Sequence, residues 1–134
     1  MTEREAYDEL CAYTLSHRDP AFIHQHVVDA YAAQHADNRT RPIALTFALV
    51  GLYLCVEKDI SGKEIQRTHM RLASRKRQWP SFELPRERGA VTAIDVMAAL
   101  AGPQRDDAIR AWCGSVWAAF SAQRAKVEAL LREQ

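Results

Sequence analysis

The chain has 134 residues, enough for one domain whose hydrophobic core needs no disulfide or metal ion to hold it. Apolar residues make up 48% and charged residues 26% of the chain, and this balance is ordinary for a soluble globular protein. The formal net charge of +1 excludes a strong global attraction to nucleic acid or to an anionic membrane. We therefore expect a single domain over residues 1–134, in which a local patch would have to bind any charged partner.

The cysteines and the N-terminus indicate the compartment. Cys11, Cys55 and Cys113 are odd in number, widely spaced and set among apolar residues, a pattern typical of reduced buried thiols. The charged N-terminus lacks the apolar core of a secretory signal, and no apolar run approaches the roughly 18 residues of a membrane helix. We expect a cytoplasmic protein with no membrane segment and no cofactor.

Two helices are predicted before residue 40. Thr2 and Glu5 form a capping-box pattern, and the apolar residues that follow predict a helix over about residues 3–16. Asp19 and Pro20 offer an N-cap residue and a proline at the first helical position. They predict a second helix that ends at the polar turn 36–39.

The second predicted helix holds three of the five histidines. At about 100° per residue, His24, Tyr31 and His35 share one arc, whereas His26 and Asp29 point away from it. His24 and His35 lie roughly 16 Å apart at about 1.5 Å rise per residue, too far to bind one metal ion. We interpret His26 and Asp29 as a solvated pair, because two ligands of the usual four give little support for a metal site.

The middle of the chain predicts two further helices. Residues 43–56, which follow Pro42, are apolar almost all round and therefore predict a central helix that is buried on every side. Ser61 and Glu64 repeat the capping-box pattern and begin an amphipathic helix. Its inner face carries His69 at the edge of the core. Its outer face is basic, with Lys63, Arg67, Arg71 and Arg75.

A loop and two helices complete the predicted fold. Residues 79–85 hold two prolines and three large apolar side chains, which predicts an ordered loop packed over the bundle. Thr92 and Asp95 begin a short helix that stops at Gly102, and a last helix runs from about residue 104 to 131. No segment alternates with the two-residue period of a strand. The predicted fold is all-α, a single-domain bundle of five or six helices.

The leading functional hypothesis is a small binding or interaction module. It has a polar pocket near Tyr31, Gln34 and His35, partly closed by the loop at Trp79, and its partner is a small molecule or a protein. An imidazole there could act as a base or a ligand near neutral pH. The competing interpretation is structural, because buried polar groups normally have hydrogen-bond partners for stability alone. The candidate ligand-binding residues are Tyr31, Gln34, His35, His24, His69 and Trp79.

A first alternative is a metal-assisted enzyme that uses His24, His35 and His69 from different helices. No coordination shell is completed within one helix, so we predict that the protein binds no metal. His69 is most simply a histidine at the edge of the core.

A second alternative is nucleic-acid or phosphate binding through the basic segment 63–88. Residues 59–90 hold eight Lys or Arg against four Asp or Glu. The whole chain lacks the strong basic excess of nucleic-acid-binding domains, and a charge run on a helix is usually its solvated face. We therefore do not expect nucleic acid to be the partner.

Several short motifs, in their order along the chain, resemble one family. They are residues 28–35 (Val-Asp-Ala-Tyr-Ala-Ala-Gln-His), 49–54 followed by Glu57, 79–80, 89–92 with 95–96, and Trp112 with 115–117. In this order they are similar to the mainly bacterial domain-of-unknown-function family 5946. The resemblance covers most of residues 22–120. It implies the boundaries of the fold and leaves the function uncharacterised.

Overall fold

The computed structural model describes residues 1–16, 18–75 and 78–133, and these residues form helices, turns and loops without a strand. The seven α-helices are α1 (Glu3–Leu15), α2 (His24–Gln34), α3 (Pro42–Lys58), α4 (Gly62–Ala73), α5 (Ala93–Ala98), α6 (Pro103–Ala119) and α7 (Arg124–Arg132). The all-α prediction is confirmed. The described helices number seven rather than five or six, because the last predicted helix is two.

The local start signals account for most helix boundaries. Thr2, Ser61 and Thr92 each accept a hydrogen bond from the backbone N–H three residues further on, as the capping-box patterns predict. Pro42 occupies the first position of α3, where its missing N–H costs no helical hydrogen bond. These signals act within a few residues, so they can be identified without knowledge of the tertiary fold.

The start of α2 differs from the prediction by four residues. The carboxylate of Asp19 accepts hydrogen bonds from the backbone N–H groups of Ala21 and Ile23, and so caps a separate turn. Phe22 then adopts a left-handed φ of 55°, which interrupts the helical conformation. The helix therefore begins only at His24.

The last predicted helix breaks at a buried residue. Phe120 has φ −97° and ψ 9°, and a 3₁₀ turn over Ser121–Gln123 separates α6 from α7. Phe120 and Val127 are both buried, so the helical spacing of apolar residues continues across the break. Periodicity alone does not reveal the turn, which places α7 against α3.

The helices α2 and α3 form the centre of the bundle. Helix α3 packs against α2, α4, α6 and α7, and α2 packs against α1, α3, α4 and α6. The prediction that His26 and Asp29 form a solvated pair is wrong, because these side chains are only 2% and 3% exposed. Helix α2 is covered on more than one face, so its polar positions do not mark a solvated side.

The loop over residues 79–85 packs on the bundle, as predicted. Trp79, Phe82 and Leu84 are half-buried against the core. The Trp79 ring meets the Phe47 ring edge-on, with ring centroids 5.5 Å apart. In the described part of the chain, no helix has the length and apolar character needed to cross a membrane.

Candidate functional site

The side chain of Gln34 forms three hydrogen bonds within the protein. Its amide nitrogen donates hydrogen bonds to the backbone carbonyls of Arg88 and Val91, at 3.2 and 2.8 Å. Its amide oxygen accepts a hydrogen bond from the indole N–H of Trp112 at 2.9 Å. Both amide donors and the carbonyl are engaged within the protein, which favours the structural interpretation of this residue.

The rings of Tyr7, Tyr31 and His35 form a stack. The Tyr31 ring lies between Tyr7, with centroids 3.9 Å apart, and His35, with centroids 4.3 Å apart. His35 is exposed as a residue, and the partial burial of its ring lowers the pKa of the imidazole. The cavities described below are lined by other residues, so a pocket at this turn stays a prediction.

The three histidines of the enzyme hypothesis have separate surroundings. His24 Nδ1 lies 2.9 Å from the Thr14 hydroxyl. His69 is buried and stacks on Phe47, with ring centroids 4.9 Å apart, and burial lowers the pKa of its imidazole to about 4. The structure thus brings His69 and Trp79 into contact with the same ring, that of Phe47, and leaves His24 elsewhere. Among the described residues, no group of three or more His, Cys, Asp or Glu side chains is arranged to hold a metal ion.

The basic segment is largely engaged in contacts within the protein. Arg67 pairs with Glu64 on the same helix, and Arg75 donates to a backbone carbonyl near the end of α7. Arg88 donates to the carbonyls of Ala33 and Ala36 and so caps the C-terminus of α2. Lys76 and Arg77, which belong to this segment, lie outside the described residues.

A buried polar cluster that the sequence did not predict lies where α2, α3, α4 and α6 meet. Gln25 donates to Asp29 Oδ1 at 3.1 Å, and its amide nitrogen lies 3.4 Å from His69 Nδ1. Asp29 Oδ2 has no hydrogen-bond partner within the described structure. Burial raises the pKa of the Asp29 carboxyl well above its ordinary value. The only signal in the sequence is Gly51, a glycine within an apolar helix, which packs directly against this carboxyl.

Two cysteines and a histidine extend the cluster. His26 Nε2 lies 3.8 Å from Cys55 Sγ, and the Cys113 thiol contacts the His26 carbonyl at 3.5 Å. Cys55 and Cys113 also share a hydrogen bond through their sulfur atoms, which lowers the pKa of Cys55 and raises that of Cys113. Cys55 and Cys113 are free and buried, as the sequence predicts, whereas Cys11, which is also predicted to be buried, is only half-buried.

A cavity of about 450 Å³ lies between the C-terminal half of α3 and the helices α4 and α7. Its volume falls in the range of small-molecule sites, roughly 300–1,000 Å³. Leu54, Ile60 and Leu131 contribute an apolar wall, and each of them is half-buried. We call this space the α3/α4/α7 cavity.

Five charged side chains surround this apolar wall. The two carboxylates already have partners, because Glu64 pairs with Arg67 and Glu128 accepts a hydrogen bond from Tyr53 at 3.0 Å. The three cations of the lining are Lys58, Arg71 and Arg132, and none forms an ion pair with a carboxylate of the described residues. The cavity thus offers an apolar wall and three cations that form no ion pair among the described residues.

These features define a small all-α protein with a buried polar cluster at its centre. At one side it has a cavity whose apolar wall is surrounded by charged side chains. The chain belongs to a family of unknown function, DUF5946, whose model matches residues 4–121. The matched residues end before α7, which lines part of the α3/α4/α7 cavity. No curated protein and no solved structure matches the chain.

Proposed function

We propose that the protein is a binding module for a small amphiphilic anion, and that the ligand occupies the α3/α4/α7 cavity. This proposal keeps the small-molecule module inferred from the sequence and moves its site away from Tyr31, Gln34 and His35. The observation that carries it is the imbalance of charge pairing: the carboxylates of the lining are satisfied, whereas its cations are not.

The cations have contacts that orient them without neutralising them. The Lys58 ammonium lies 5.9 Å from the centroid of the Tyr53 ring, and Arg71 donates to the Thr68 hydroxyl at 3.0 Å. A carboxylate or phosphate bound between Lys58 and Arg71 would receive charge-assisted hydrogen bonds, which are stronger than neutral ones. The ligand is therefore expected to carry its negative charge at this edge.

The apolar wall determines the rest of the ligand. Leu54 and Ile60 come from α3 and the turn after it, and Leu131 faces them from α7. Removing apolar surface from water contributes about 25 cal/mol per Å², so an alkyl or aromatic body adds affinity that a free phosphate ion lacks. The ligand class that fits both features is a small organic acid with an apolar body.

The probe for the experiment is octanoate, tested beside two reagents that each lack one of its features. Octan-1-ol has the chain without the charge, and inorganic phosphate has the charge without the chain. Calorimetric titration and thermal unfolding would measure binding. At a concentration 100 times its Kd, octanoate should stabilise the protein by about 2.7 kcal/mol, and the other two reagents by much less.

Paired variants test the location of the anion. Lys58→Gln combined with Arg71→Gln should weaken octanoate binding about thirtyfold, because two charge-assisted contacts of roughly 1 kcal/mol each are lost. The matched control is Lys63→Gln with Arg86→Gln, which removes two exposed charges that do not line the cavity. Equal weakening by both pairs, binding of octan-1-ol as tight as that of octanoate, or absence of octanoate binding would each contradict the proposal.

A further inference from the structure

The buried cluster brings two thiols and an imidazole together at the contact of three helices. Cys55 belongs to α3, Cys113 to α6 and His26 to α2. Cys55 Sγ lies 3.8 Å from His26 Nε2, and the Cys113 thiol contacts the His26 carbonyl at 3.5 Å. Cys55 is 7% exposed and Cys113 is 0% exposed. Both thiols are free, and both contact His26, although they are 58 residues apart in the chain.

The surroundings distinguish the two sulfur atoms. Cys55 faces Cys113 and Arg110 from α6, and His26 and Asp29 from α2. Hydrogen bonding to Cys113, followed by the effects of His26 and Arg110, outweighs burial and lowers the pKa of Cys55 to about 5. The same hydrogen bond and burial raise the pKa of Cys113. Cys55, which contacts the imidazole and is the less deeply buried of the two, is therefore the better placed to attack.

A cavity at the surface borders His26. A cavity of about 320 Å³ is lined by His26 together with Ser61, Arg18 and Arg110. His26 is 2% exposed, and its Nδ1 has no hydrogen-bond partner among the described residues. Cys55 Sγ lies 3.8 Å from Nε2 of this ring and is buried, so an oxidant that reaches the sulfur has to be small. The burial of both thiols favours hydrogen peroxide over larger oxidants.

We propose that Cys55 and Cys113 form a peroxide-sensitive redox pair, in which Cys55 is the attacking sulfur, Cys113 the resolving one, and His26 the group that holds Cys55 for attack. This activity goes beyond the proposed binding function. The Cys55 thiolate attacks one peroxide oxygen, the O–O bond breaks, and the departing hydroxide takes up a proton to leave as water. Cys55 becomes a sulfenic acid.

The second step consumes the neighbouring thiol. The Cys113 sulfur attacks the sulfenic sulfur, the S–O bond breaks, and the departing hydroxide takes the Cys113 proton to form a second water. The two thiols together lose two electrons and two protons, and one peroxide is reduced to two waters. The product is a Cys55–Cys113 disulfide that links α3 to α6.

Intact-mass spectrometry of the folded protein after treatment with hydrogen peroxide tests these steps. The wild type should lose two hydrogen atoms, and peptide mapping should place a disulfide between residues 55 and 113. Cys113→Ala should instead gain one oxygen at Cys55, and Cys55→Ala should leave Cys113 unmodified. Cys11→Ala is the matched control and should behave as the wild type, because Cys11 lies outside the cluster.

The pH dependence of the oxidation rate tests the role of His26. The wild-type rate should be nearly flat between pH 6 and 8, because Cys55 is already a thiolate, whereas the rate of His26→Asn should rise several-fold over this range. Circular dichroism would verify that each variant is folded. Oxidation confined to Cys11, oxidation of Cys55 only after unfolding in urea, or the same pH profile for His26→Asn and wild type would each overturn the proposal.

Discussion

The carboxyl group of Asp29 occupies the place where a side chain of Gly51 would begin. A Cβ atom built at Gly51 would lie 1.8 Å from Asp29 Oδ2 and 2.5 Å from Asp29 Cγ. The contact lies in the interior, where both residues are buried between α2 and α3. The buried acid and the glycine of the central helix are therefore a matched pair, and neither should be replaceable alone.

Gly51→Ala should destabilise the protein by about 1–3 kcal/mol, the usual cost of overpacking a core, although alanine is the better helix former by about 1 kcal/mol. Adding Asp29→Ala should recover more than about 1 kcal/mol of this loss, because it removes the atoms that clash. Urea unfolding of the four members of the cycle measures the coupling. Gly114→Ala is the control: it lies in α6 with open space around its Cβ position, so it should be neutral or stabilising. Additive effects of Gly51→Ala and Asp29→Ala would contradict the pairing.

The raised pKa of Asp29 predicts a dependence of stability on pH with a definite sign. The native carboxyl holds its proton above the pKa of the unfolded chain, near 3.9, so the native state binds more protons there. The contribution of the Asp29 carboxyl to the free energy of unfolding is fully present below that pH and is lost as the pH rises through the pKa of the native state. Asp29→Asn should therefore remove this loss and be at least as stable as the wild type at pH 7. Denaturant unfolding of both proteins between pH 4 and 8 makes the comparison, and a marked loss of stability in Asp29→Asn at pH 7 would show that the ionised carboxylate is required.

The lowered pKa of His69 predicts a pH dependence of stability with the opposite sign. Burial lowers the pKa of its imidazole from 6.5 to about 4, so the unfolded chain binds the proton first as the pH falls. Its contribution is present above pH 6.5 and is lost between pH 6.5 and 4, by up to about 3 kcal/mol. This loss should be measured in the Asp29→Asn background, where the opposing titration is absent. His69→Phe in that background keeps a ring against Phe47 and should flatten the profile. An unchanged profile would assign the acid sensitivity to other groups.

Gln34 and His35 test the pocket predicted from the sequence against the structural interpretation. Gln34→Ala removes the acceptor of the buried Trp112 indole N–H and should cost about 1–3 kcal/mol. His35 is exposed and stacks on Tyr31, so His35→Ala should cost less than about 1 kcal/mol. Urea unfolding gives both values. A negligible loss for Gln34→Ala would restore the polar pocket at this turn.

The sequence predicts those parts of the fold that depend on neighbouring residues. The cap residues Thr2, Ser61 and Thr92 and the start of α3 at Pro42 are local signals, and each has the predicted effect. The break at Phe120 has no such signal. Its apolar stripe continues through the turn, so the spacing that predicts a helix cannot show that the helix is two.

The candidate sites were harder to predict because they depend on packing between helices. A helical wheel divides α2 into two faces, and it assigns His26 and Asp29 to solvent only if one face is free. In the fold several helices cover α2, and both residues are buried. The α3/α4/α7 cavity joins Lys58 to Glu128 and Leu131, which are distant in the sequence and carry no shared pattern.

Nuclear Overhauser effects between octanoate and the methyl groups of the protein test the central claim most directly. If octanoate occupies the α3/α4/α7 cavity, its terminal methyl protons should show cross-peaks to Leu54, Ile60 and Leu131, and Leu131→Asn should weaken binding. Val91 and Val96, which lie outside this cavity, supply reference methyl groups. Cross-peaks to methyl groups elsewhere, or saturation of binding without cross-peaks to any of the three cavity residues, would contradict the account.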